Sequence, residues 1–252
     1  AAGRALDGDP LAATLRLLRA GKIVAIKGLG GFHLACDAGN SETVAELRER
    51  KQREEKPFAV MALNAASLRD YARIGDEEAS LLKAPAAPIV LCPRGERELS
   101  GIAPGLAWLG VMLPATPLHL LLWHEAAGRP ADTRWLDETS DLLLVMTSAN
   151  PHGEPLVIGN DEALERLAGI ADAFLVHDRD IVVRCDDSVV RAAPAFIRRA
   201  RGYVPVPIPL AKGGPTVLAL GGYLKNTVCV LKGREAFLSQ HVGSLDNAAS
   251  IG

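Results

Sequence analysis

Short apolar runs of strand length alternate with helical segments along most of this chain. The runs that indicate buried strands are residues 22–26, 58–61, 88–91 and 141–146. The segments that indicate helices are residues 9–20, 41–53, 65–83, 117–127 and 161–169. In the first of these, Leu11, Leu15 and Leu18 repeat at helical spacing behind Pro10. The alternation predicts an α/β fold of the α+β type, a twisted mixed sheet with helices packed on it.

A change in composition predicts where the first domain ends. Three more short strands come before this point, at residues 174–176, 181–183 and 188–190. Residues 94–109 and 128–138 are predicted to be exposed connections. The prolines and glycines of residues 205–215 are typical of a stiff, extended linker. We therefore expect a first domain of residues 1–210 and a truncated second α/β domain of residues 211–252. The strands expected in the second domain are residues 217–220, 227–231 and 236–238.

Cysteine spacing and charge limit the class of protein. The four cysteines are widely spaced, with no Cys-x-x-Cys pair, which favours a reduced, cytoplasmic setting. No run approaches the roughly 20 apolar residues that a membrane helix needs. The formal net charge of −2 gives no overall basic footprint for nucleic acid. The chain begins without Met, and we expect it to be a piece of a longer protein.

A basic cluster lies at the end of the second predicted helix. Lys51, Arg53 and Lys56 follow one another closely, just before Pro57. If the backbone leaves helical geometry there, Lys51 and Arg53 can reach the same oxyanion, Arg through a bidentate fork and Lys as a point charge. The alternative is a solvated charged surface, which is what charge runs usually form.

Small polar residues follow the buried run at residues 141–146. Thr147, Ser148 and Asn150 stand where this strand is expected to end, a common position for ligand groups in α/β folds. Their hydroxyl and amide groups can bond a phosphate or a ribose without blocking its approach. The alternative is a helix cap or a turn, for which these residue types are also common.

A glycine-rich loop follows the first predicted strand. Gly28, Gly30 and Gly31 match neither the dinucleotide-binding nor the Walker spacing. Lys27 is the better candidate to contact an anion, because it leaves the core beside these flexible glycines. His33 nearby has two readings, a site residue or a structural hydrogen-bonding residue.

Arginines and acids alternate along residues 178–188. Arg184 and Ser188 belong to this stretch, whose acids suit ion pairs around a site or the Mg²⁺ that ATP carries. The alternative is a surface ladder of salt bridges with little net effect. Arg198 begins a second basic cluster, residues 198–201, suited to closing over phosphates or to binding a neighbouring domain.

Two common kinds of catalytic centre find no support in the sequence. There is no Gly-x-Ser-x-Gly motif, and the six histidines show no metal-ligand spacing. We therefore expect no protein-bound metal. The other candidate residues are positively charged or small and polar. Such residues can position ATP and stabilise charge on a phosphoryl centre.

Taken together, these motifs resemble the HypF family of hydrogenase-maturation carbamoyltransferases. The stretches similar to its YrdC-like domain are residues 28–38, 50–61, 109–120, 147–156, 177–191 and 197–205. They fall between Leu11 and Pro209, and residues 217–247 resemble the start of the family's TsaD-like transferase domain. Ala115 departs from the pattern where an aromatic is expected, and Ser244 departs where Asp is expected.

The resemblance implies an activity and its partners. ATP, with Mg²⁺, condenses with carbamate derived from carbamoyl phosphate to give carbamoyl-adenylate and pyrophosphate. The carbamoyl group then passes to the C-terminal cysteine of a maturation protein, HypE, towards the cyanide ligands of a nickel–iron hydrogenase. The family's acylphosphatase-like and zinc-finger parts, and the rest of its transferase domain, are not in this sequence.

The resemblance also assigns residues to this work. Lys51 and Arg53 are expected to be catalytic. The residues expected to bind the nucleotide or the acyl group are Lys27, Lys56, Thr147, Ser148, Asn150, Arg184, Ser188 and Arg198. Two alternatives stay open. One is threonylcarbamoyl-adenylate synthesis for tRNA modification, and the other is a YrdC-like module that binds double-stranded RNA.

Overall fold

A nine-stranded mixed sheet forms the centre of the computed structural model, which describes residues 3–193, 195–222 and 226–242. Its strands are β1 (Val24–Lys27), β2 (Phe32–Asp37), β3 (Ala59–Ala62), β4 (Ile89–Pro93), β5 (Trp108–Met112), β6 (Leu143–Ser148), β7 (Ala173–Leu175), β8 (Val189–Arg191) and β9 (Ala195–Arg198). They lie in the order β7-β1-β2-β6-β3-β5-β4-β8-β9. The pairs β1–β7, β3–β5 and β4–β8 are parallel, and the others are antiparallel. The predicted fold class is confirmed.

Five helices accompany the sheet. They are α1 (Pro10–Arg19), α2 (Ser41–Arg50), α3 (Asp76–Lys83), α4 (Pro117–Ala126) and α5 (Asn160–Arg166). Asn40 caps α2, because its Oδ1 accepts a hydrogen bond from the N–H of Thr43. The helix predicted at residues 65–83 is shorter. It starts after Gly75, whose N–H donates to Glu78 Oε2.

Two hydrophobic cores lie on opposite faces of the sheet. Along β1 the side chains alternate, so that Ala25 joins one core and Val24 joins the other. The first core includes Val44 and Leu47 of α2. The second includes Trp123 of α4, whose Nε1 donates to the carbonyl oxygen of Leu142 at 3.2 Å. Because the sheet is buried on both faces, the positions of its strands are fixed, and so are the polar residues at the strand ends described below.

Some sequence-based expectations are wrong in detail. Residues 32–37 and 108–112 are strands that the patterns did not single out, and no strand forms at residues 181–183. The connection at residues 94–109 is not fully exposed, because Ile102 and Ala103 are buried in the first core. Short strands without clear alternation are hard to recognise from one sequence.

A separate two-stranded antiparallel sheet follows the main sheet. Its strands are β10 (Ile208–Leu220) and β11 (Val228–Leu238), here called the C-terminal hairpin. Residues 208–215, predicted as a linker, therefore belong to a strand, whose register shifts between Pro209 and Gly214 and again between Gly214 and Val217. The predicted domain division at residue 210 stays a prediction. Within residues 217–247, which resemble the start of the transferase domain, residues 223–225 and 243–247, including Ser244, lie outside the described residues.

Among the helices in the described part of the chain, none has both the length and the apolar character needed to span a bilayer. All four cysteines are free thiols, and Cys36 and Cys92 are buried. Burial raises the pKa of each of these two thiols to about 12, so both are unreactive core residues.

Candidate functional site

Two adjoining cavities open at the edge where β6 and β9 end and β3 and β8 begin. The first has a volume of about 480 Å³ and the second about 590 Å³. Six residues line both of them: Arg53, Lys56, Ser148, Asp186, Arg198 and His241. The floor of the second cavity is apolar and includes Ile89, Leu91 and Trp108. The two cavities together form a cleft with a polar side and an apolar side, a combination suited to a nucleotide.

Lys51 lies in the turn after α2 and is almost completely buried, with 6% of its surface exposed. Its Nζ donates to the carbonyl oxygens of Ser148 at 2.8 Å and Asn150 at 3.0 Å. Burial, followed by the charges of Arg53 and Lys56, lowers the pKa of Lys51 to about 7. Its described partners are oxygen atoms of uncharged groups, so its positive charge is not compensated.

Arg53 is a second cation that lines the first cavity together with Lys51. Its Nη1 donates to Thr147 Oγ1 at 3.1 Å, and its Nε donates to the carbonyl oxygen of Lys56 at 3.0 Å. Burial, then the nearby charges of Arg48 and Arg198, lower the pKa of Arg53 to about 10. Arg53 therefore stays protonated at neutral pH, and among the described residues no carboxylate forms an ion pair with it.

Arg48 holds the loop that carries these cations, and the sequence analysis did not identify it. The guanidinium donates to five carbonyl oxygens, those of Arg53, Glu54, Lys56, Gly101 and Ile102. It also lies over the ring of Phe58 at 4.5 Å, beside Arg53 at 4.9 Å. Gln52 adopts a φ of 49°, which ends α2 sharply. An arginine two residues before the end of a charged helix gives no sequence signal for this role.

The end of β6 is held by its own polar side chains. Ser148 Oγ donates to Asn150 Oδ1 at 3.0 Å, and Asn150 Nδ2 donates to the carbonyl oxygen of Glu154 at 2.8 Å. Asn150 Oδ1 also lies 3.3 Å from Lys51 Nζ. The predicted alternative of a turn thus coexists with placement in the cleft, because the turn orients these groups towards the two cations.

The glycine loop positions the opposite wall of the cleft. The N–H of Cys185 donates to the carbonyl oxygen of Gly30 at 3.0 Å. A Cβ at Gly30 would lie 2.1 Å from the carbonyl oxygen of Cys185, so only glycine fits there. The loop therefore brings the segment with Arg184 and Asp186 to the first cavity.

A buried ion network supports this wall from behind. Asp187 Oδ2 accepts from His33 Nε2 at 2.8 Å, and Asp187 Oδ1 accepts from Arg201 Nε at 2.9 Å. Burial acts to raise the pKa of Asp187, but His33 and Arg201 outweigh it and hold the pKa well below its ordinary value. Asp187 is therefore a structural anion and is not free to bind a metal ion.

Eight of the ten expected site residues line the cleft. They are Lys51, Arg53, Lys56, Thr147, Ser148, Asn150, Arg184 and Arg198. Lys27 lies elsewhere, buried, with its Nζ donating to the carbonyl oxygen of His177 at 3.1 Å. Ser188 is also buried, and its Oγ bonds the carbonyl oxygen of Arg201 and the N–H of Ala200. For these two residues the structure favours a structural role.

The described residues contain no group of three or more His, Cys, Asp or Glu side chains arranged to hold a metal ion. Asp186 is the carboxylate that lies between the two cavities. A Mg²⁺ ion that travels with ATP keeps several water ligands and needs only one or two carboxylates. Asp186 fits an ion bound in that way, whereas a dedicated cage has no counterpart in the described part of the chain.

Comparison with known proteins identifies relatives for both parts of the chain. Residues 16–200 match the Sua5_yciO_yrdC family model, described as telomere recombination, and residues 212–252 match the HypF Kae1-like domain. Carbamoyltransferase HypF2 of Cupriavidus necator is 63% identical over 97% of this chain. Carbamoyltransferase HypF of Rhizobium leguminosarum bv. viciae is 53% identical over 93% of it. The chain spans 31% and 30% of the length of these two relatives.

Solved structures give the same picture. A full-length HypF in a phosphate- and nucleotide-bound form superposes with a TM-score of 0.88 at 46% identity, covering 99% of this chain and 32% of that one. Sua5 of P. abyssi, complexed with L-threonine, has a TM-score of 0.62 at 19% identity, covering 80% of this chain and 56% of that one. The second likeness concerns the fold alone.

Proposed function

The chain belongs to the Sua5/YciO/YrdC family, in the arrangement of the HypF carbamoyltransferases, and on that premise we propose that its cleft binds ATP and forms carbamoyl-adenylate. The relatives are named carbamoyltransferases, so the chain is part of an enzyme of the transferase class. A related HypF has been solved in a nucleotide-bound form, which supports a nucleotide as the ligand here.

One observation carries the proposal: two largely buried cations face the cleft without an acidic partner. Lys51 and Arg53 hydrogen-bond only to uncharged oxygen atoms among the described residues. A buried charge without a counterion is costly, and it persists where a ligand of opposite charge completes it. The phosphates of ATP are such a ligand, and Arg198 and Lys56, which also line the cleft, add to the attraction.

The reaction that suits this site is attack of a carbamate oxygen on the α-phosphorus of ATP. The new oxygen–phosphorus bond gives carbamoyl-adenylate, and the bond to the pyrophosphate oxygen breaks, so that pyrophosphate leaves with the electron pair. Negative charge grows on the α-phosphoryl oxygens, where Lys51 and Arg53 are fixed donors in a water-poor site. Ser148 and Asn150 offer hydroxyl and amide groups to the carbamate.

Mg²⁺ is the metal that this reaction class uses. Bound with ATP, it would neutralise charge on the leaving pyrophosphate, and Asp186 is the residue placed to hold it. Asp186 stays ionised at neutral pH. Burial acts to raise its pKa, but the hydrogen bond from His241 and the charge of Arg198 outweigh this and lower it.

On this proposal the chain takes part in carbamoyl transfer, a reaction that also requires the domains of such enzymes that this chain does not cover. Carbamoyl phosphate is the source of carbamate, and the acceptor of the carbamoyl group is the C-terminal cysteine of a HypE-type protein in hydrogenase maturation. Because the chain covers less than a third of its relatives, the remaining domains of such enzymes would supply carbamate and complete the transfer.

The experiment that tests the proposal is exchange of labelled pyrophosphate into ATP. The full 252-residue chain is given ATP, Mg²⁺ and carbamate, the last formed from ammonium and bicarbonate. Exchange that depends on carbamate and is lost in Lys51→Met supports the proposal. The matched control is Lys22→Met, at an exposed lysine that lines neither cavity, and it should keep the wild-type rate.

The same assay separates the alternatives. Exchange that needs L-threonine with bicarbonate, and not ammonium, would replace carbamate by threonine as the substrate and overturn the proposal. Binding of double-stranded RNA finds no support in the carbamoyltransferase relatives or in the net charge of −2. It would require affinity that falls steeply with salt and does not depend on ATP.

A further inference from the structure

The C-terminal hairpin contributes a side chain to the cleft. The end of β11 lies beside the start of that strand, and two backbone hydrogen bonds fix the chain on either side of His241. The N–H of Ser239 donates to the carbonyl oxygen of Val228, and the N–H of Val242 donates to that of Asn226, both at 2.8 Å. His241 is therefore held in place by the hairpin itself.

His241 contacts the acid that lies between the two cavities. Its Nε2 is 2.8 Å from Asp186 Oδ2. An ionised carboxylate can only accept, so Nε2 carries the hydrogen. The neighbouring Gln240 donates from Nε2 to the backbone carbonyl oxygen of Arg184. Of these two contacts between described residues, the one from His241 reaches a charged group and the one from Gln240 reaches a backbone carbonyl.

Asp186 also faces Arg198, a cation that lines both cavities. Its Oδ1 lies 3.7 Å from Arg198 Nη1, which is longer than a good charged hydrogen bond. The hydrogen bond from His241 occupies the other oxygen and fixes the plane of the carboxylate. Without it, a small rotation of the Asp186 side chain would turn this long ion pair into a close hydrogen-bonded one, and the N–H groups of Arg198 would then be occupied before an anion arrived.

We propose that His241 is a positioning residue of the nucleotide site, which holds Asp186 beyond hydrogen-bonding distance of Arg198 so that the N–H groups of Arg198 stay available to the phosphates. The inference rests on the proposed function, because it concerns the same cleft. The hairpin matches the HypF Kae1-like domain, whereas residues 16–200, which match the other family model, supply most of the site. On this proposal the hairpin contributes directly to nucleotide binding. The affinity for ATP then depends on whether the hairpin is in place.

The test is calorimetric titration of ATP into the full chain in EDTA, which keeps metal binding by Asp186 out of the result. His241→Ala is expected to weaken ATP binding about five- to tenfold, as is usual for a lost contact within a charged network. His241→Gln, whose amide nitrogen can replace Nε2 as the donor, recovers most of the affinity. Gln240→Ala removes the other hairpin contact and leaves the affinity within about twofold.

Repeating His241→Ala in an Asp186→Asn variant distinguishes a positioning role of His241 from a merely structural one. In Asp186→Asn, Arg198 has no carboxylate to pair with, so adding His241→Ala is expected to change the affinity less than about twofold. An equal loss in both backgrounds, or an equal loss in Gln240→Ala, would mean that His241 merely anchors the hairpin. If the folded wild type does not bind ATP, the proposed function fails; if it binds and His241→Ala binds equally well, only this inference fails.

Discussion

The nine-stranded domain and the C-terminal hairpin are built in opposite ways. The domain buries side chains on both faces of its sheet, in two cores that helices cover. In the hairpin, none of residues 208–222 and 226–242 is buried, and Leu218 and Leu220 are more than 60% exposed. Backbone pairing between β10 and β11 is its main internal support.

One cleft therefore combines side chains that core packing holds rigidly with a side chain whose position depends on a few polar contacts. The cations Lys51 and Arg53 stand on a framework fixed by core packing and by Arg48. The hairpin adds His241 through a few polar contacts, which are individually weak. Changes in the domain should therefore have large effects on stability and binding, whereas matched changes in the hairpin should have small ones.

The largest contrast is expected for buried and exposed aromatic residues. Trp123→Ala removes a side chain that is 1% exposed, and should lower the free energy of unfolding by about 3–5 kcal/mol. Phe237→Ala in β11, where the ring is 38% exposed, should cost less than about 1 kcal/mol. Urea unfolding followed by circular dichroism measures both. Equal losses would mean that the hairpin has a core of its own.

The next contrast compares two arginines that both donate to backbone carbonyls. Arg48→Ala frees the loop of residues 53–56, and should cost about 2–3 kcal/mol of stability and weaken ATP binding about tenfold. Arg234 donates to the carbonyl oxygens of Leu210 and Ala211 from an exposed position in the hairpin. Arg234→Ala should change stability by less than about 0.5 kcal/mol. ATP binding that survives Arg48→Ala unchanged would remove the loop from the site.

Binding of ATP should also be coupled to the uptake of a proton. An anion beside Lys51 raises its pKa from about 7 towards the ordinary 10.5, so the complex holds more protons than the free protein between these values. Affinity therefore falls as pH rises from about 7 to 9, by at most about tenfold per pH unit. Calorimetry at pH 8 in buffers of different ionisation enthalpy measures the uptake.

Two lysine variants give the control for this linkage. Lys51→Met should abolish the proton uptake, whereas Lys232→Met, an exposed position in β11, should leave it as in the wild type. Uptake that persists in Lys51→Met at a nucleotide concentration that still saturates the site would assign the proton to another group.

Much of the domain could be predicted because its signals are local. Apolar runs bounded by glycine or polar residues gave most of the strands, and helical spacing gave α1, α4 and α5 within a few residues. The basic cluster at Lys51 and the polar residues after β6 were recognised as site candidates. The resemblance to the HypF family is confirmed by relatives that cover both parts of the chain.

What could not be predicted depends on contacts between distant segments. Two of the carbonyl oxygens that Arg48 binds, those of Gly101 and Ile102, and the acid that His33 binds come from distant parts of the chain. Lys27 stands beside flexible glycines, yet its amino group turns to the carbonyl oxygen of His177. The proline- and glycine-rich run at residues 208–215 has linker composition, yet pairing with β11 makes it a strand with register shifts.

Calorimetric titration of ATP with Mg²⁺ tests the central claim that uncompensated cations in the domain bind the nucleotide. The Lys51→Ala, Arg53→Ala double variant is compared with Arg19→Ala, Lys22→Ala, which removes two exposed charges away from the cleft. Charged hydrogen bonds contribute about 1.5–3 kcal/mol each, so the first variant should bind at least about 100-fold more weakly, and the second should bind like the wild type. A folded wild type that does not bind ATP, or a double variant that binds it as tightly as the wild type, would contradict the account.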